Sequence, residues 1–266
     1  MRVLTWNLWW RYALWRERQE PIAAVLAEVR PDVCGLQEVW GTPEANQAAD
    51  LADRLGMHWC WAELPRSDPH PEHGVISIGN AVLSRWPIAE PAEQPLPTAE
   101  AEENRVALYT AIDAPGGRLP FFTTHLTYRP GGSALRVAQV RTLAGFVAQR
   151  GTDGDYPPVV TGDLNADPDA DELRLLGGLL TDPAAPDLVL LDAWRYADPH
   201  DPGFTWDRRN PYQEHTVIPD SRLDYVLVGL PREDRGRVRS ARLAGDKPVD
   251  GVWPSDHFAV VAELVD

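Results

Sequence analysis

The sequence predicts an α/β fold built on mixed sheets. Three observations carry the prediction. Short apolar runs of strand length recur along the whole chain. Segments with helical periodicity separate some of these runs, while the tight turn Pro115-Gly116-Gly117 joins two others into a hairpin. That mixture of hairpins and strand–helix–strand units argues against a doubly wound, all-parallel sheet.

The elements follow in order. Arg2 to Leu8 is short and β-prone and ends in the polar Asn7. Ile22, Val25, Leu26 and Val29 recur at i, i+3, i+4 and i+7, which predicts a helix closed by Pro31. Val33 to Leu36 is a buried strand running into Gln37-Glu38, and Val75 to Ser84 a strand broken at Gly79. Residues 87–103, rich in Pro and Glu, are expected as an exposed loop. Val106 to Ile112 and Phe121 to Leu126 form the hairpin. A helix is expected from Ser133, its N-cap, to Gln149, with Val137, Val140, Ala144 and Val147 as its apolar stripe. Val159 to Thr161 is a short strand entering Gly162-Asp163, and Asp167-Pro168 has the look of an N-cap and first-turn proline. Residues 198–220 are a loop dense in Pro, Asp and Arg, before strands at Leu223 to Val228 and Phe258 to Leu264.

At 266 residues, with 44% hydrophobic and 24% charged residues, the chain can bury a large core without staples, and a single domain over 1–266 is the expectation. There are 25 Lys and Arg against 40 Asp and Glu, a net charge of −15, so bulk charge does not hold it to nucleic acid or to an anionic membrane. Lys247 is the only lysine. Cys34 lies in the apolar run PDVCGLQEV and is expected in the core; with Cys60 it makes no zinc motif. Trp6, Trp59 and Trp61 alternate with their neighbours as core residues would. The N-terminus lacks the long apolar region and cleavage site of a signal peptide, and no apolar run is long enough to span a bilayer. A soluble, cytoplasmic protein with no obligate partner is the resulting expectation.

The polar residues that end these strands are of one chemical family. Asn7, Glu38, His125, Asp163, Asn165, Asp256 and His257 stand at strand ends, and Asp224 at a strand start. Taken singly they are weak: Asn7 or Asp163-x-Asn165 suits a turn, Glu38 a solvated strand end, and a lone strand histidine such as His125 is more often structural. Converging on one rim, they would hold hard carboxylate oxygens for Mg²⁺ or Mn²⁺ beside imidazoles and amides for a phosphoryl group. That is equipment for metal-assisted phosphoester hydrolysis.

In order, TWNLW, LQEV, GNAVLSRWPI, THL, GDLNA, RLDYV and SDHFAV resemble the endonuclease/exonuclease/phosphatase superfamily across Thr5 to Val260. The resemblance implies a four-layer α/β sandwich, two mixed sheets face to face with helices outside, and a Mg²⁺-dependent phosphoesterase in which Mn²⁺ can substitute. It implies Glu38 as metal ligand, helped by Asn7 and Asp256. Asp163 would activate water, with Asn165 orienting it. His257 and His125 would contact the phosphate, and Asp224 would orient His257. Arg105 is implied on the phosphate side, and Tyr128 and Trp206 within reach of substrate. None of this set is missing, as a non-catalytic phosphoester-binding relative would require. A serine acyl hydrolase is disfavoured, because Gly131-Gly132-Ser133-Ala134-Leu135 fails the nucleophile-elbow pattern at its last position.

Substrate choice is expected to lie in loops 63–74, 86–104, 127–134 and 198–220. The first holds His70 and His73; the second is acidic, with Glu90, Glu93, Glu100, Glu102 and Glu103. In the last, Trp206 is placed to stack on a ring, with Arg208 and Arg209 on flanking phosphates. There is no long Lys/Arg stripe of the kind a processive nuclease uses. The substrate is thus a phosphoester, nucleic acid among the candidates, with sphingomyelinase-like and tyrosyl-DNA phosphodiesterase-like activities as alternative subclasses.

Overall fold

The computed structural model describes residues 1–64, 76–99 and 104–266. His70 and His73 of the first loop, and Glu100, Glu102 and Glu103 of the second, lie outside the described residues.

Among the described residues, twelve strands and four α-helices follow in the order β1 (Arg2–Asn7), α1 (Gln19–Val29), β2 (Val33–Gly41), α2 (Gln47–Leu55), β3 (His58–Leu64), β4 (Ser77–Ser84), β5 (Ile88–Leu96), β6 (Arg105–Ala114), β7 (Gly117–His125), α3 (Ser133–Arg150), β8 (Val159–Asp163), α4 (Asp171–Gly177), β9 (Leu190–Asp192), β10 (Asp224–Gly229), β11 (Val238–Ala244) and β12 (Ala259–Leu264). They form two six-stranded sheets, β11-β12-β1-β2-β4-β3 and β5-β6-β7-β8-β10-β9. Each sheet holds one parallel pair, β1 with β2 and β7 with β8. The remaining pairs are antiparallel.

Three buried clusters define four layers. Val3, Val33, Val82 and Val260 of the first sheet meet Leu108, Phe121, Val159 and Val226 of the second in a central core. Outside the first sheet, Ile22, Leu26, Leu51 and Ala52 of α1 and α2 cover Leu4, Trp6 and Leu36. Outside the second, Val140, Leu143, Val147 and Leu176 of α3 and α4 cover Tyr109, Phe122 and Leu227. The four-layer sandwich is therefore the observed fold. Among the described residues no helix is long and apolar enough to cross a membrane.

The sheets come close at Gly35, where an added Cβ would press on the hydroxyls of Thr161 and Thr123 on the facing sheet. Gly35→Ala is expected to destabilise the protein by about 1–3 kcal/mol through overpacking. An unchanged thermal midpoint would contradict this packing.

Several local expectations need correction. Residues 88–96 form a strand rather than an exposed loop: β5 is an edge, paired only with β6, and its register shifts between Ala89 and Ala92, around Pro91. Prolines are tolerated at edges and bulges, where a missing N–H breaks no central ladder. β4 runs unbroken through Gly79, where an added Cβ would meet the Ala62 carbonyl and the Trp61 indole of neighbouring β3. Trp59 is 44% exposed, because β3 is an edge strand and its outer end extends beyond the core; Trp61 is half-buried, whereas Trp6 is fully buried. Ser133 begins α3 but does not cap it, Gly132 being the N-cap. Asp167 and Pro168 precede α4, which starts at Asp171 after Ala170. Helix α2 and strands β3, β9 and β11 were not expected. Cys34 is buried and both cysteines are free.

Candidate active site

Register brings the polar residues together. In the second sheet His125 lies beside Asp163, and Asp163 beside Asp224, on three adjacent strands. In the first sheet Asn7 ends β1, and Ser255-Asp256-His257 lead into β12, which pairs with β1. The two sets meet at one rim, where the Asn7 amide donates to Asp163 Oδ2 across the sheets at 3.1 Å.

Asp163 is the hub. It is buried, and its Oδ1 accepts the backbone N–H of Asn165 at 2.9 Å. His125 Nε2 lies 3.4 Å and His257 Nε2 3.7 Å from its Oδ2. Asn165, with φ 49°, thus steadies Asp163 through its backbone, while its side-chain amide donates to the Leu126 carbonyl. Asn7 Oδ1 accepts the Trp9 N–H, so the Asn7 side chain is fixed at both ends.

Glu38 does not end its strand, as the sequence suggested. It lies within β2 at a bulge, where the register with β4 shifts between Leu36 and Val39, and its φ is 52°. A bulge re-aims side chains, and a left-handed glutamate is costly unless its surroundings fix it. Here Gln37 turns inward to donate to Thr5 and Thr123, and Glu38 Oε1 comes within 3.9 Å of His125 Nδ1.

His257 is held from three sides. Its Nδ1 lies 2.8 Å from Asp224 Oδ2, and its backbone carbonyl accepts the Trp6 indole N–H. The Trp206 ring stands edge-on to its imidazole, with centroids 5.0 Å apart. Arg208 and Arg209 pair with Asp220 and Asp207 of the same loop. Tyr128 is 53% exposed on the loop after β7. Arg105 is buried at the start of β6, close enough for its charge to act on Glu38 and His125.

Some positioning residues gave no sequence signal. Gln213 donates to Asp256 Oδ2, and Asn210 to the Ser255 carbonyl. Ser255 lies inside the SDHFAV run, and its hydroxyl ties Asn7 O to the His257 N–H.

Burial dominates the electrostatics. It pushes Asp163 up to about 7, with the charge of Asp224 adding to it, and Asp256 up to about 7, against the charge of His257. Burial also raises Glu38, opposed by Arg105 and His257. For His257 burial favours the neutral ring, but Asp224, Asp163 and Asp256 together outweigh it and hold the imidazolium well above its ordinary range. His125 is held well below by burial and by the charges of Arg105 and His257.

These shifts fix a sign. Between the ordinary aspartate value of 3.8 and about 7, native Asp163 and Asp256 hold protons that the unfolded chain has lost. Stability therefore falls as pH rises through that window. His257, raised, acts in the same direction; His125, lowered, opposes it below its ordinary 6.5. In EDTA the thermal midpoint is expected to drop between about pH 5 and about pH 8. A midpoint that climbs over this range would contradict the electrostatics.

The site suits a divalent cation. Glu38 Oε2 and Asp224 Oδ1 are buried without a hydrogen-bond partner among the described residues. Buried anionic oxygens left this way are costly, and a hard cation is the counter-ion that oxygen donors satisfy. Asp163, Asp224 and His257 bring one donor atom each within 4.8 Å of one another. His257, however, is kept protonated by its carboxylates, and an imidazolium has no lone pair for a metal. Glu38, hydrogen-bonded by Asn7 and near enough to Asp256 for their charges to interact, is a second set that could hold a cation.

Known proteins resemble the chain in sequence and in fold. The model of the Endonuclease/Exonuclease/phosphatase family matches residues 4–257. Nocturnin of Xenopus laevis is 26% identical over 272 residues, covering 94% of this chain and 64% of that protein, so the chain spans a little under two-thirds of this relative's length. An endonuclease/exonuclease/phosphatase from Beutenbergia cavernae superposes with a TM-score of 0.71 at 28% identity, over 99% of this chain and 71% of that one. A mannosyl-6-phosphatase from Bacteroides thetaiotaomicron shares the fold, with a TM-score of 0.73 at 20% identity over 100% of both chains.

Proposed function

Because the chain belongs to the Endonuclease/Exonuclease/phosphatase family, we propose that it is a Mg²⁺-dependent phosphoester hydrolase that prefers phosphodiesters to monoesters. The observation that carries this reading is the environment of Asp163: a buried carboxylate held near neutral pKa, steadied by two amides, between one charged and one neutral histidine.

Glu38 is the principal metal ligand in this reading, with Asn7 and Asp256 beside it. What a bound Mg²⁺, or Mn²⁺ in its place, supplies there is polarisation of a phosphoryl oxygen and neutralisation of its charge. Asp163 takes a proton from the attacking water, a role suited to a carboxylate with a pKa of about 7. The His257 imidazolium donates to a phosphoryl oxygen as charge builds on it, and Asp224 keeps that ring charged and oriented. Neutral His125 and the Arg105 guanidinium complete the phosphate side. Trp206, beside the His257 ring, and the exposed Tyr128 would contact the rest of the substrate in this reading. The acidic overall charge and the pairing of Arg208 and Arg209 within their loop favour a small phosphoester over a long polyanion.

The test is hydrolysis of bis(p-nitrophenyl) phosphate, p-nitrophenyl phosphate and plasmid DNA in Mg²⁺ and in Mn²⁺. The expected order is the diester first, the monoester second and DNA last. Faster turnover of DNA than of either small ester would overturn the substrate assignment, and no turnover of any of the three would favour a phosphoester-binding protein.

A further inference from the structure

Arg18 is fully buried, yet no carboxylate among the described residues lies within ion-pair distance of it. Its two terminal nitrogens donate instead to five backbone carbonyls. Nη1 reaches Leu8 O at 2.8 Å and Pro254 O at 2.9 Å. Nη2 reaches Trp9 O at 2.8 Å, Trp10 O at 3.0 Å and Tyr12 O at 3.2 Å. These carbonyls come from two segments far apart in sequence. One directly follows Asn7, and the other directly precedes Ser255-Asp256-His257.

The first segment is strained. Trp9 has φ 56° and Trp10 φ 34°, in a region that bulky residues rarely occupy. Such outliers persist only where their surroundings over-determine them. Here the guanidinium binds both carbonyls while lying 4.9 Å over the Trp9 ring. The strained backbone in turn braces the site: the Trp9 N–H holds Asn7 Oδ1, and the Trp10 N–H donates to the Glu38 carbonyl. Burial lowers the Arg18 pKa to about 10, opposed by the charges of Asp256, Tyr212 and Glu38, so the cation persists at neutral pH. A buried charge paired only with carbonyls is an expensive way to fill a core, and an apolar side chain would fill the space at less cost. Its placement behind Asn7, Glu38 and Asp256 gives the expense a purpose.

We propose that Arg18 is a positioning residue that locks the segment after Asn7 to the segment before Asp256 and His257, holding the first-sheet side of the site in register without touching substrate. This rests on the phosphoesterase reading above.

The test compares Arg18→Lys and Arg18→Met with wild type. Lysine keeps the charge but offers three donors from a point rather than a planar fork. For Arg18→Lys, kcat on bis(p-nitrophenyl) phosphate is expected to fall by about 10²-fold, the scale of a small misplacement of reacting groups. KM should stay within about 3-fold, since uniform substrate binding is untouched. Mn²⁺ affinity, measured by calorimetry without substrate, should weaken by about 10-fold, and amide exchange should accelerate in both 9–12 and 254–257 while β7 and β8 stay protected. Arg18→Met should show the same pattern more strongly. A folded Arg18→Lys protein with wild-type kcat and Mn²⁺ affinity overturns the proposal. So does loosening of 9–12 alone, or unfolding of both variants, which would make Arg18 a fold determinant only. Failure of the phosphoesterase reading is distinguishable, because it would appear as no turnover by wild type.

Discussion

Asp163→Asn is expected to lower turnover by on the order of 10³-fold or more, with the fold unchanged. The replacement is isosteric and retains an oxygen for the Asn7 amide or the Asn165 N–H, the groups that steady Asp163. What it removes is the basic oxygen facing His125 and His257. It also removes a carboxylate that burial has pushed up to about 7, so above that pH the folded protein carries one fewer buried charge. The metal-free variant should therefore melt at or above the wild-type midpoint at alkaline pH, while its activity collapses. This opposition separates the chemical role from a structural one. A large loss of thermal stability, or a rate near wild type, would contradict the assignment.

His257→Ala is expected to cost on the order of 10²–10³-fold in kcat, the range for removing one donor to a developing phosphoryl charge. Asp224→Asn should cost less, since the ring remains but its charge and orientation are no longer fixed by the 2.8 Å contact to Nδ1. Because Asp224 acts only through His257 in this scheme, the double variant should be no slower than His257→Ala. Additive losses would mean that Asp224 has a separate task, such as metal ligation through its unpartnered Oδ1.

Much of the fold was legible because its strongest signals are periodic. The α1 face of Ile22, Val25, Leu26 and Val29 is buried as expected. The β6–β7 hairpin turns at Pro115-Gly116, and Val159 to Asp163 forms a buried strand. What escaped was decided by position in the sheet. The composition of Ile88–Leu96 is that of a loop, and it pairs because an edge strand tolerates proline. The bulge at Gln37-Glu38 depends on β4 alongside, and nothing in LQEV encodes it locally.

The candidate site was legible as residue types in order. Register then placed His125, Asp163 and Asp224 side by side. The supporting residues were not legible. Arg18 is one arginine in a chain that uses arginine almost to the exclusion of lysine. Gln213 and Asn210 sit in a loop whose composition suggests only exposure, and their contacts with Asp256 and Ser255 exist only once the chain is folded.

The most direct measurement removes the cation and returns it while bis(p-nitrophenyl) phosphate hydrolysis is followed. Turnover should vanish in EDTA and recover in excess Mg²⁺ for wild type, with no recovery for Asp163→Asn. Hydrolysis that continues at full rate in EDTA, or that Mg²⁺ restores equally to Asp163→Asn, would contradict a metal-assisted site centred on that aspartate.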